Sequence, residues 1–241
     1  MKIGILGADG FLGKALCKQF PDAVPVTRNS YMFYKGNSFD IFINANGNSK
    51  KYWAEGNPFD DFEASVVSVY ETFYDFKIKQ YVYISSVDAI DPNASYYGFH
   101  KTLAEQIVKK NSNDCMILRC CALIGQGMKK GVVQDIIDEK PLWVTGESLF
   151  QFTSIADVAE SVDKIFLNDI HNETINVGGW GTIRVNEIAK YLDVGFTERK
   201  DATTYICNYG NTERLNQIVP VVKTSWQHIK EFANERMDKS V

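Results

Sequence analysis

The sequence predicts an α/β fold with a doubly wound parallel sheet and a small mixed α/β C-terminal lobe. A β-prone segment at residues 2–6 runs into a glycine-rich turn that opens a helix. Two nearly continuous apolar segments, residues 80–86 and 115–125, lack the alternation of a half-exposed strand. That pattern is typical of parallel strands buried on both faces. After Gly125 the predicted elements become shorter and more mixed.

The core elements alternate between strand and helix. Residues 11–20 have the apolar spacing of a helix and follow the first strand directly. Residues 23–28 and 39–45 predict the next two strands, and because only about ten residues separate them, the helical crossover must be shortened. The remaining core elements are a helix at 60–79, a strand at 80–86, a helix at 96–110 and a strand at 115–125.

The C-terminal part divides between the core and a second lobe. Ser154 is a predicted N-cap for an amphipathic helix, which is followed by a strand at 173–179. We therefore assign residues 1–125 and 155–180 to the core. The smaller, substrate-binding lobe is assigned residues 126–154 and 181–241.

Charge and composition exclude several classes of function. The net charge is −4 and the pI about 5.5, which argues against binding to nucleic acid or to an anionic membrane surface. No apolar run is long enough for a membrane span or a signal peptide. The five cysteines show no CxxC spacing and the three histidines lie far apart, so we expect no metal site and no disulfide framework. The cytoplasm is the expected location.

The first chemical motif is the turn GADGFLG, in which Gly7, Gly10 and Gly13 follow a strand and open a helix. Glycines at these positions let the backbone approach a pyrophosphate, and the helix N-terminus offers free N–H groups to the anion. Glycines also mark ordinary turns, but this position in an α/β pattern predicts dinucleotide binding.

The second motif is VTRN at the end of the second predicted strand. The residue here faces the adenosine ribose, where an acid suits a free 2′-hydroxyl and an arginine suits a 2′-phosphate. Arg28 therefore favours NADP(H), although Asp9 in the glycine turn would repel an additional phosphate. NAD remains the alternative.

The third motif places Tyr97 four residues before Lys101 on a predicted helix, so the two side chains share one face. A lysine ammonium near the phenol would lower the phenol pKa from its usual value of about 10 toward the range of a useful acid–base group. The segment ISS ends the preceding strand, where a serine hydroxyl could hydrogen-bond a substrate carbonyl. A tyrosine packed against a lysine stem is the alternative interpretation.

These motifs together resemble the extended short-chain dehydrogenase/reductases, specifically the NAD-dependent epimerase/dehydratase family that acts on nucleotide sugars. The resemblance rests on segments spread over most of residues 1–192: GADGFLG, FDIFINANG, YVYISS followed by YGFHK, MILRCCALIGQG, FTSIADVAESV and TINVGGWGTIRVNEIAKYL. It implies a Rossmann-like core, a nicotinamide cofactor and a nucleotide-sugar substrate.

The resemblance also implies roles for single residues. Tyr97 would be the general acid/base, Lys101 would lower its pKa and bind the nicotinamide ribose, and Ser86 would orient the carbonyl, with Ser85 as the second choice. The predicted cofactor-binding residues are Gly7, Asp9, Gly10, Phe11, Leu12, Gly13, Arg28, Asn44, Ala45, Asn46, Ser85, Tyr97, Lys101, Cys120 and Leu123.

The sequence departs from the family pattern at several positions. Sugar 4,6-dehydratases carry an Asp-Glu pair after the catalytic hydroxyl, whereas this chain has Val87 and Asp88, which argues against dehydration. Gln151 stands where many relatives have an arginine for the substrate phosphate; Lys129, Lys130 or Arg184 could replace it. Ser65 lies near the position of the asparagine that relatives often carry.

The predicted function is a cytoplasmic NAD(P)-dependent oxidoreductase that reduces a keto group on a nucleotide-linked sugar. A nucleotide-sugar epimerase is the closest alternative, and a dinucleotide-sensing regulator without catalysis is an alternative of another class. The segments SVVSVYETFYDF and KTLAEQIVKK could form a four-helix interface in a homodimer; a monomer is the alternative.

Overall fold

The computed structural model describes residues 1–237. The strands are β1 Ile3–Leu6, β2 Val24–Val26, β3 Ser38–Asn44, β4 Lys77–Ser86, β5 Cys115–Cys120, β6 Ala122–Ile124, β7 Leu142–Val144, β8 Leu149–Phe150, β9 Phe152–Ser154, β10 Thr174–Val177, β11 Ile183–Arg184 and β12 Glu198–Thr203. The helices are α1 Phe11–Gln19, α2 Tyr31–Tyr34, α3 Lys51–Gly56, α4 Pro58–Phe62, α5 Ser68–Asp75, α6 Tyr96–Asn111, α7 Val132–Ile137, α8 Ile155–Leu167, α9 Val185–Leu192, α10 Glu213–Asn216 and α11 Ser225–Met237.

Six parallel strands form the central sheet in the order β2-β1-β3-β4-β5-β10, so the predicted Rossmann-like parallel sheet is confirmed. One face carries a core cluster to which α1 and α8 contribute, and the other carries a cluster that includes residues of α5 and α6. The chain reverses its direction of strand addition at β1. In such sheets, ligands bind beyond the carboxyl ends of the strands at this reversal.

The register brings the carboxyl ends of neighbouring strands together. Leu6 of β1 pairs with Val26 of β2 and with Asn44 of β3, while Ser86 of β4 pairs with Cys120 of β5. Between β2 and β3 the single turn α2 takes the place of a full crossover, as the short spacing predicts.

Two boundaries differ from the sequence predictions. Residues 77–79 belong to β4, not to the preceding helix, which ends at Asp75. The predicted strand 115–125 is two strands. The chain leaves the sheet at Cys121, whose N–H donates to the Val177 carbonyl oxygen, and β6 then pairs with β9. A continuous apolar run does not encode this change of partner.

The long helix after β3 is interrupted. Between α4 and α5 lies a π-helical turn, Glu63–Val67, which widens the helix by one residue. Such turns often occur at functional sites. A second short element, the 3-10 turn Val87–Ile90, connects β4 toward α6.

The C-terminal part contains a third apolar cluster, and two of its elements, α8 and β10, pack with the core. Ser154 caps α8 as predicted, accepting a hydrogen bond from the Asp157 N–H at 3.0 Å. β10 joins the sheet as its edge strand, and the third cluster gathers residues of α7, α9 and α11. Within residues 1–237, no helix combines the length and apolar character that crossing a bilayer requires.

Candidate active site at the carboxyl edge of the sheet

The glycine turn packs so closely that side chains are excluded. Gly7 has φ +81°, and a methyl group on Gly13 would collide with the Gly7 carbonyl oxygen. Helix α1 therefore begins against the end of β1, with Gly10 at its N-cap and the first-turn N–H groups directed toward the sheet edge. This is the backbone arrangement that a pyrophosphate needs.

The other predicted residues of this turn divide by exposure. Asp9 and Gly10 are exposed and Phe11 is half-buried, whereas Leu12 packs in the core. Leu12 therefore supports the turn from below and does not line its surface.

Arg28 lies beside the glycine turn. The Gly7 N–H donates to the Val26 carbonyl oxygen at 2.9 Å, which holds the end of β2 next to the turn. Arg28 follows two residues later and is exposed, in a bend that the Thr27 N–H closes by donating to Ser30 Oγ at 2.9 Å.

The segment after β3 packs against the glycine turn. The Asn44 side chain is fully buried; its Nδ2 donates to the Tyr81 hydroxyl at 2.8 Å, and its Oδ1 accepts from the Asn46 N–H at 2.9 Å. Ala45 lies against Gly7. Asn44 thus shapes the loop, and the backbone of the two following residues forms its surface.

The two serines at the end of β4 point to opposite faces of the sheet. Ser85 Oγ donates to Glu105 Oε1 at 2.6 Å, and Arg119 holds that carboxylate through two hydrogen bonds of 2.8 and 2.7 Å. Ser86 lies on the other side, close enough to the Tyr97 phenol to lower its pKa in part, and its Oγ donates to Asp88 Oδ2 at 3.1 Å. The geometry therefore places Ser86 beside the predicted catalytic residues and places Ser85 in a buried ion-pair network.

Tyr97 and Lys101 meet on one face of α6. Ser95 caps the helix by accepting the Gly98 N–H at 3.0 Å, which orients the first turn. Lys101 Nζ lies 5.8 Å from the centre of the Tyr97 ring and is 5% exposed as a residue. Its hydrogen bonds are long, 3.4 Å to the Tyr83 hydroxyl and 3.5 Å to the Ile84 carbonyl oxygen.

Residues 27–178 match the sequence profile of the NAD dependent epimerase/dehydratase family. This chain belongs to that family. The extended short-chain dehydrogenase/reductase identity that the motifs predict is thereby confirmed, and the protein is an enzyme of this type. Compared by sequence with curated proteins, the chain matches none of them.

Solved structures agree on the fold. A UDP-galactose 4-epimerase is 16% identical with a TM-score of 0.79, and the match covers 99% of each chain. A dTDP-4-dehydrorhamnose reductase from Clostridium acetobutylicum is 19% identical with a TM-score of 0.76, covering 98% of this chain and 100% of the reductase. MoeE5, solved with UDP-glucose and NAD, is 14% identical with a TM-score of 0.79 and full coverage of both chains.

At this epimerase/dehydratase-family site, the pKa of Tyr97 shifts in the direction opposite to the prediction. Burial raises the pKa of Tyr97 above its usual value, and the Asp88 carboxylate raises it further, while the neighbouring Ser86 side chain lowers it in part. Burial also lowers the pKa of Lys101 to about 8, against an upward effect of Asp61. The net effect of the protein's own groups is thus to raise the pKa of the Tyr97 phenol, which is opposite to the predicted lowering.

Cys120 and Leu123 border the same edge. Cys120 ends β5 opposite Ser86, and burial raises the pKa of its thiol to about 12. Leu123, in β6, is half-buried and packs against the core. The Cys120 thiol therefore stays neutral and adds a small apolar surface to this edge.

The candidates for a substrate phosphate differ in availability. Gln151 is committed to the fold: its Nε2 donates to the carbonyl oxygens of Gly179 and Gly210 at 2.8 and 3.0 Å. Lys130 Nζ donates to Ser49 Oγ at 2.6 Å, and Arg184 pairs with Glu147 at 3.4 Å on the surface. Lys130 and Arg184 would both have to give up these partners to hold a phosphate.

Two charge clusters escaped the sequence reasoning. The first lies behind Lys101, where the fully buried Asp61 accepts from His100 Nδ1 at 2.7 Å, from Asn48 Nδ2 at 2.9 Å and from Ser65 Oγ at 3.1 Å. Ser65 lies in the π-helical turn. The available signal was the four-residue spacing of Asp61 and Ser65, which puts both side chains on one side of the predicted helix.

The second cluster lies in front of Tyr97. Asp88 Oδ1 accepts from Lys51 Nζ at 2.6 Å and from the Tyr205 hydroxyl at 3.5 Å. Lys51 begins α3, and Tyr205 follows β12 in the smaller lobe. Asp88 was visible in the sequence as a departure from the family; nothing local marks Lys51 or Tyr205 as its partners.

A third polar cluster, Asp157, His228 and Glu231, has the composition of a metal site. Lys223 Nζ lies 3.4 Å from Asp157 Oδ2 and 2.8 Å from Glu231 Oε2. The Lys223 ammonium already pairs with both carboxylates, so the cluster is explained as an ion-pair network.

Proposed function

We propose that the protein is an NAD(P)-dependent oxidoreductase that reduces a keto group, with a nucleotide-linked sugar as its substrate. The observation that carries this proposal is the meeting of Ser86, Tyr97 and Lys101 at the carboxyl edge of the sheet, next to the glycine turn. The turn fits a dinucleotide because its glycines let α1 begin close against the end of β1, with the N-terminus of the helix at the edge of the sheet.

The roles follow from the chemistry of each side chain. The bound nicotinamide supplies the hydride to the ketone carbon. Tyr97, held protonated by its surroundings, gives its proton to the developing alkoxide, and Ser86 holds the oxygen in place. Lys101, nearly buried and weakly bonded, is placed to hold the ribose hydroxyls. We propose the smaller lobe, residues 126–154 and 181–241, as the part that holds the sugar nucleotide.

The epimerase alternative uses the same residues in both directions on one sugar carbon. The close structural likeness to a UDP-galactose 4-epimerase keeps it in consideration. A dinucleotide-sensing regulator would not need the three catalytic side chains together, so their convergence supports an enzyme. The free thiols of all five cysteines fit a cytoplasmic location.

The cofactor is proposed to be NADP(H), held at its 2′-phosphate by Arg28, and NAD is the alternative. Fluorescence titration with NADPH and with NADH tests this. We expect Arg28→Ala to weaken NADPH binding about tenfold, because one charge-assisted contact is lost, and to change the affinity for NADH little. Asp9→Asn should act in the opposite direction and tighten NADPH.

Lys110→Ala is the matched control, because this exposed cation lies at the far end of α6. If Arg28→Ala reduced the affinity for NADPH and for NADH equally, a contact between Arg28 and the 2′-phosphate would be contradicted. Tighter NADH than NADPH binding in the unaltered protein would favour the epimerase.

We also propose a homodimer formed through α5 and α6. The outer surface of these helices and of α4 is rich in exposed aromatic side chains: Phe59, Tyr70, Tyr74, Tyr96 and Phe99. Contiguous exposed apolar surface of this kind is typical of protein interfaces. A second copy of the chain would cover the same residues on both partners.

Sedimentation velocity tests the dimer. Tyr74→Glu, which places a charge at a side chain that is 74% exposed, is expected to shift a dimer to a monomer. Leu167→Glu is the control, since Leu167 is 70% exposed and ends α8, which packs on the opposite face of the sheet from α5 and α6. A dimer that survives Tyr74→Glu, or a monomer in the unaltered protein, would exclude this interface.

A further inference from the structure

Asp61 is a fully buried carboxylate that receives hydrogen bonds from three separate elements. Its Oδ2 accepts from His100 Nδ1 at 2.7 Å, and its Oδ1 accepts from Asn48 Nδ2 at 2.9 Å and from Ser65 Oγ at 3.1 Å. His100 lies in α6, Asn48 in the loop after β3, and Ser65 in the π-helical turn. The Asp61 side chain therefore joins these three elements at one point.

The hydrogen bonds of this carboxylate leave its donors little freedom. An ionised carboxylate can only accept, so the hydrogens of all three donor groups point to Asp61. His100 is 4% exposed, and the ring of Phe62 packs edge-on against its imidazole with the ring centres 5.6 Å apart. Removing the imidazole N–H would take one of three donors from a buried carboxylate, which is costly, so the elements are held together.

The loop after β3, residues 45–50, runs from the glycine turn to Lys101. At its start Ala45 lies against the glycine turn, and further along a methyl group on Gly47 would lie 3.7 Å from Lys101 Nζ. Gly47 has φ +118°, a backbone conformation that other residues rarely adopt. The next residue, Asn48, makes the bond to the buried carboxylate, so this carboxylate fixes the part of the loop that lies beside the ammonium.

The turn of α6 that carries Lys101 is held by the same carboxylate, because His100 directly precedes Lys101. The hydrogen bonds of Lys101 itself, 3.4 Å to the Tyr83 hydroxyl and 3.5 Å to the Ile84 carbonyl oxygen, are long and therefore weak. The charge of Asp61 also favours the ammonium, since it raises the pKa of Lys101 against the effect of burial. Asp61 therefore supports both the position and the charge of this side chain.

We propose that Asp61 and His100 are positioning residues for the nicotinamide half of the dinucleotide. They hold the loop 45–50 and Lys101 in place, so that a dinucleotide bound at the glycine turn meets a preformed site for its second ribose. This inference rests on the proposed function, because it assumes a nicotinamide dinucleotide as cofactor. The adenosine half is assigned to the glycine turn and Arg28, whereas the three hydrogen bonds of Asp61 lead to other elements.

Calorimetric titration of the full chain separates the two halves of the ligand. The ligands are NADPH and its fragment adenosine 2′,5′-bisphosphate, or NADH and ADP if the parent prefers NADH. In His100→Phe, which keeps a ring but has no donor for Asp61, we expect the affinity for the dinucleotide to fall about tenfold and the affinity for the fragment to stay within about twofold. His100→Asn keeps an N–H donor in the place of Nδ1 and should recover most of the lost affinity.

His228→Phe is the matched control, because His228 is also buried, at 3% exposure, with its Nδ1 3.2 Å from Asp157 Oδ2. It lies in α11, so its removal takes a buried histidine from beside a carboxylate in another part of the fold and should leave the ratio of the two affinities unchanged. An equal fall for dinucleotide and fragment in His100→Phe, or no fall in either, would overturn the positioning role. A folded His100→Asn protein that binds the dinucleotide no better than His100→Phe would overturn it as well.

A second variant tests the same network from the side of the loop. If His100→Phe does not fold, Asn48→Ala removes the bond between the loop and Asp61 and should give the same separation of the two affinities. None of these titrations uses a keto sugar. A parent protein that gives the expected pattern but turns over no keto nucleotide sugar would refute the proposed function and leave the positioning role intact.

Discussion

Replacing Tyr97 with phenylalanine is expected to lower the turnover of a keto nucleotide sugar by at least about 100-fold, the scale of losing an acid–base group. The ring and its packing remain, so binding of the dinucleotide should stay within about threefold of the parent. The comparison requires kcat from steady-state assays and cofactor affinity from the fluorescence titration. Loss in kcat with intact binding separates a proton donor from a structural side chain.

Tyr96→Phe is the matched control for this experiment. Tyr96 is the neighbouring residue in α6, carries the same phenol and is 50% exposed on the other face of the helix. It should retain full activity. Activity of Tyr97→Phe within threefold of the parent would remove Tyr97 from the mechanism and favour the regulator, which binds dinucleotide without catalysis.

The elements of this site that could be predicted from the sequence are those whose function is local. The glycine turn needs three glycines within seven residues, and Tyr97 and Lys101 need only one helical turn between them. Parallel strands bring their carboxyl ends to one edge, so Ser86 could be expected there before any coordinates were known. The family match and the sheet order confirm the class of fold.

The partners of these residues could not be predicted in the same way. Tyr205 contacts Asp88 across 117 positions of sequence, and His100 contacts Asp61 across 39. No periodicity links such pairs, because the pairing depends on how α3 and the smaller lobe pack on the core. For the same reason the apolar run at 115–125 gave no sign that it would divide between two sheets.

Residue type alone was also insufficient to predict the side-chain environment. Asn44 and Gln151 are polar residues at positions that suggest ligand binding, yet their amides hold buried backbone and side-chain groups. Ser85 and Ser86 differ only in which face of β4 they occupy, and because of that difference one hydroxyl donates to Glu105 and the other to Asp88, beside Tyr97. Strand alternation decides it, but only once the register is known.

Replacing Lys101 with methionine is expected to stabilise the protein while weakening its function. The pKa of Lys101 is lowered to about 8 because burial disfavours the ammonium. Since the unfolded chain has a lysine pKa of about 10.4, folding at neutral pH must bury a charge at a net cost. Methionine fills similar space without that charge, so the free energy of unfolding at pH 7 should rise by about 1–3 kcal/mol.

The pH dependence gives this prediction a definite sign. The cost of the buried ammonium is fully present below about pH 8 and disappears as the pH rises toward 10.4, where the unfolded chain also loses the proton. Urea unfolding at pH 7 and pH 10 should therefore show a large difference between Lys101→Met and the parent at the lower pH and a small one at the higher.

Lys110→Met is the control, because this lysine is exposed on the same helix and should change stability little at either pH. A Lys101→Met protein less stable than the parent at pH 7 would mean that Asp61 and the neighbouring oxygen atoms fully compensate the charge. A more stable protein with dinucleotide affinity reduced about tenfold or more would identify Lys101 as a residue retained for binding, at the expense of stability.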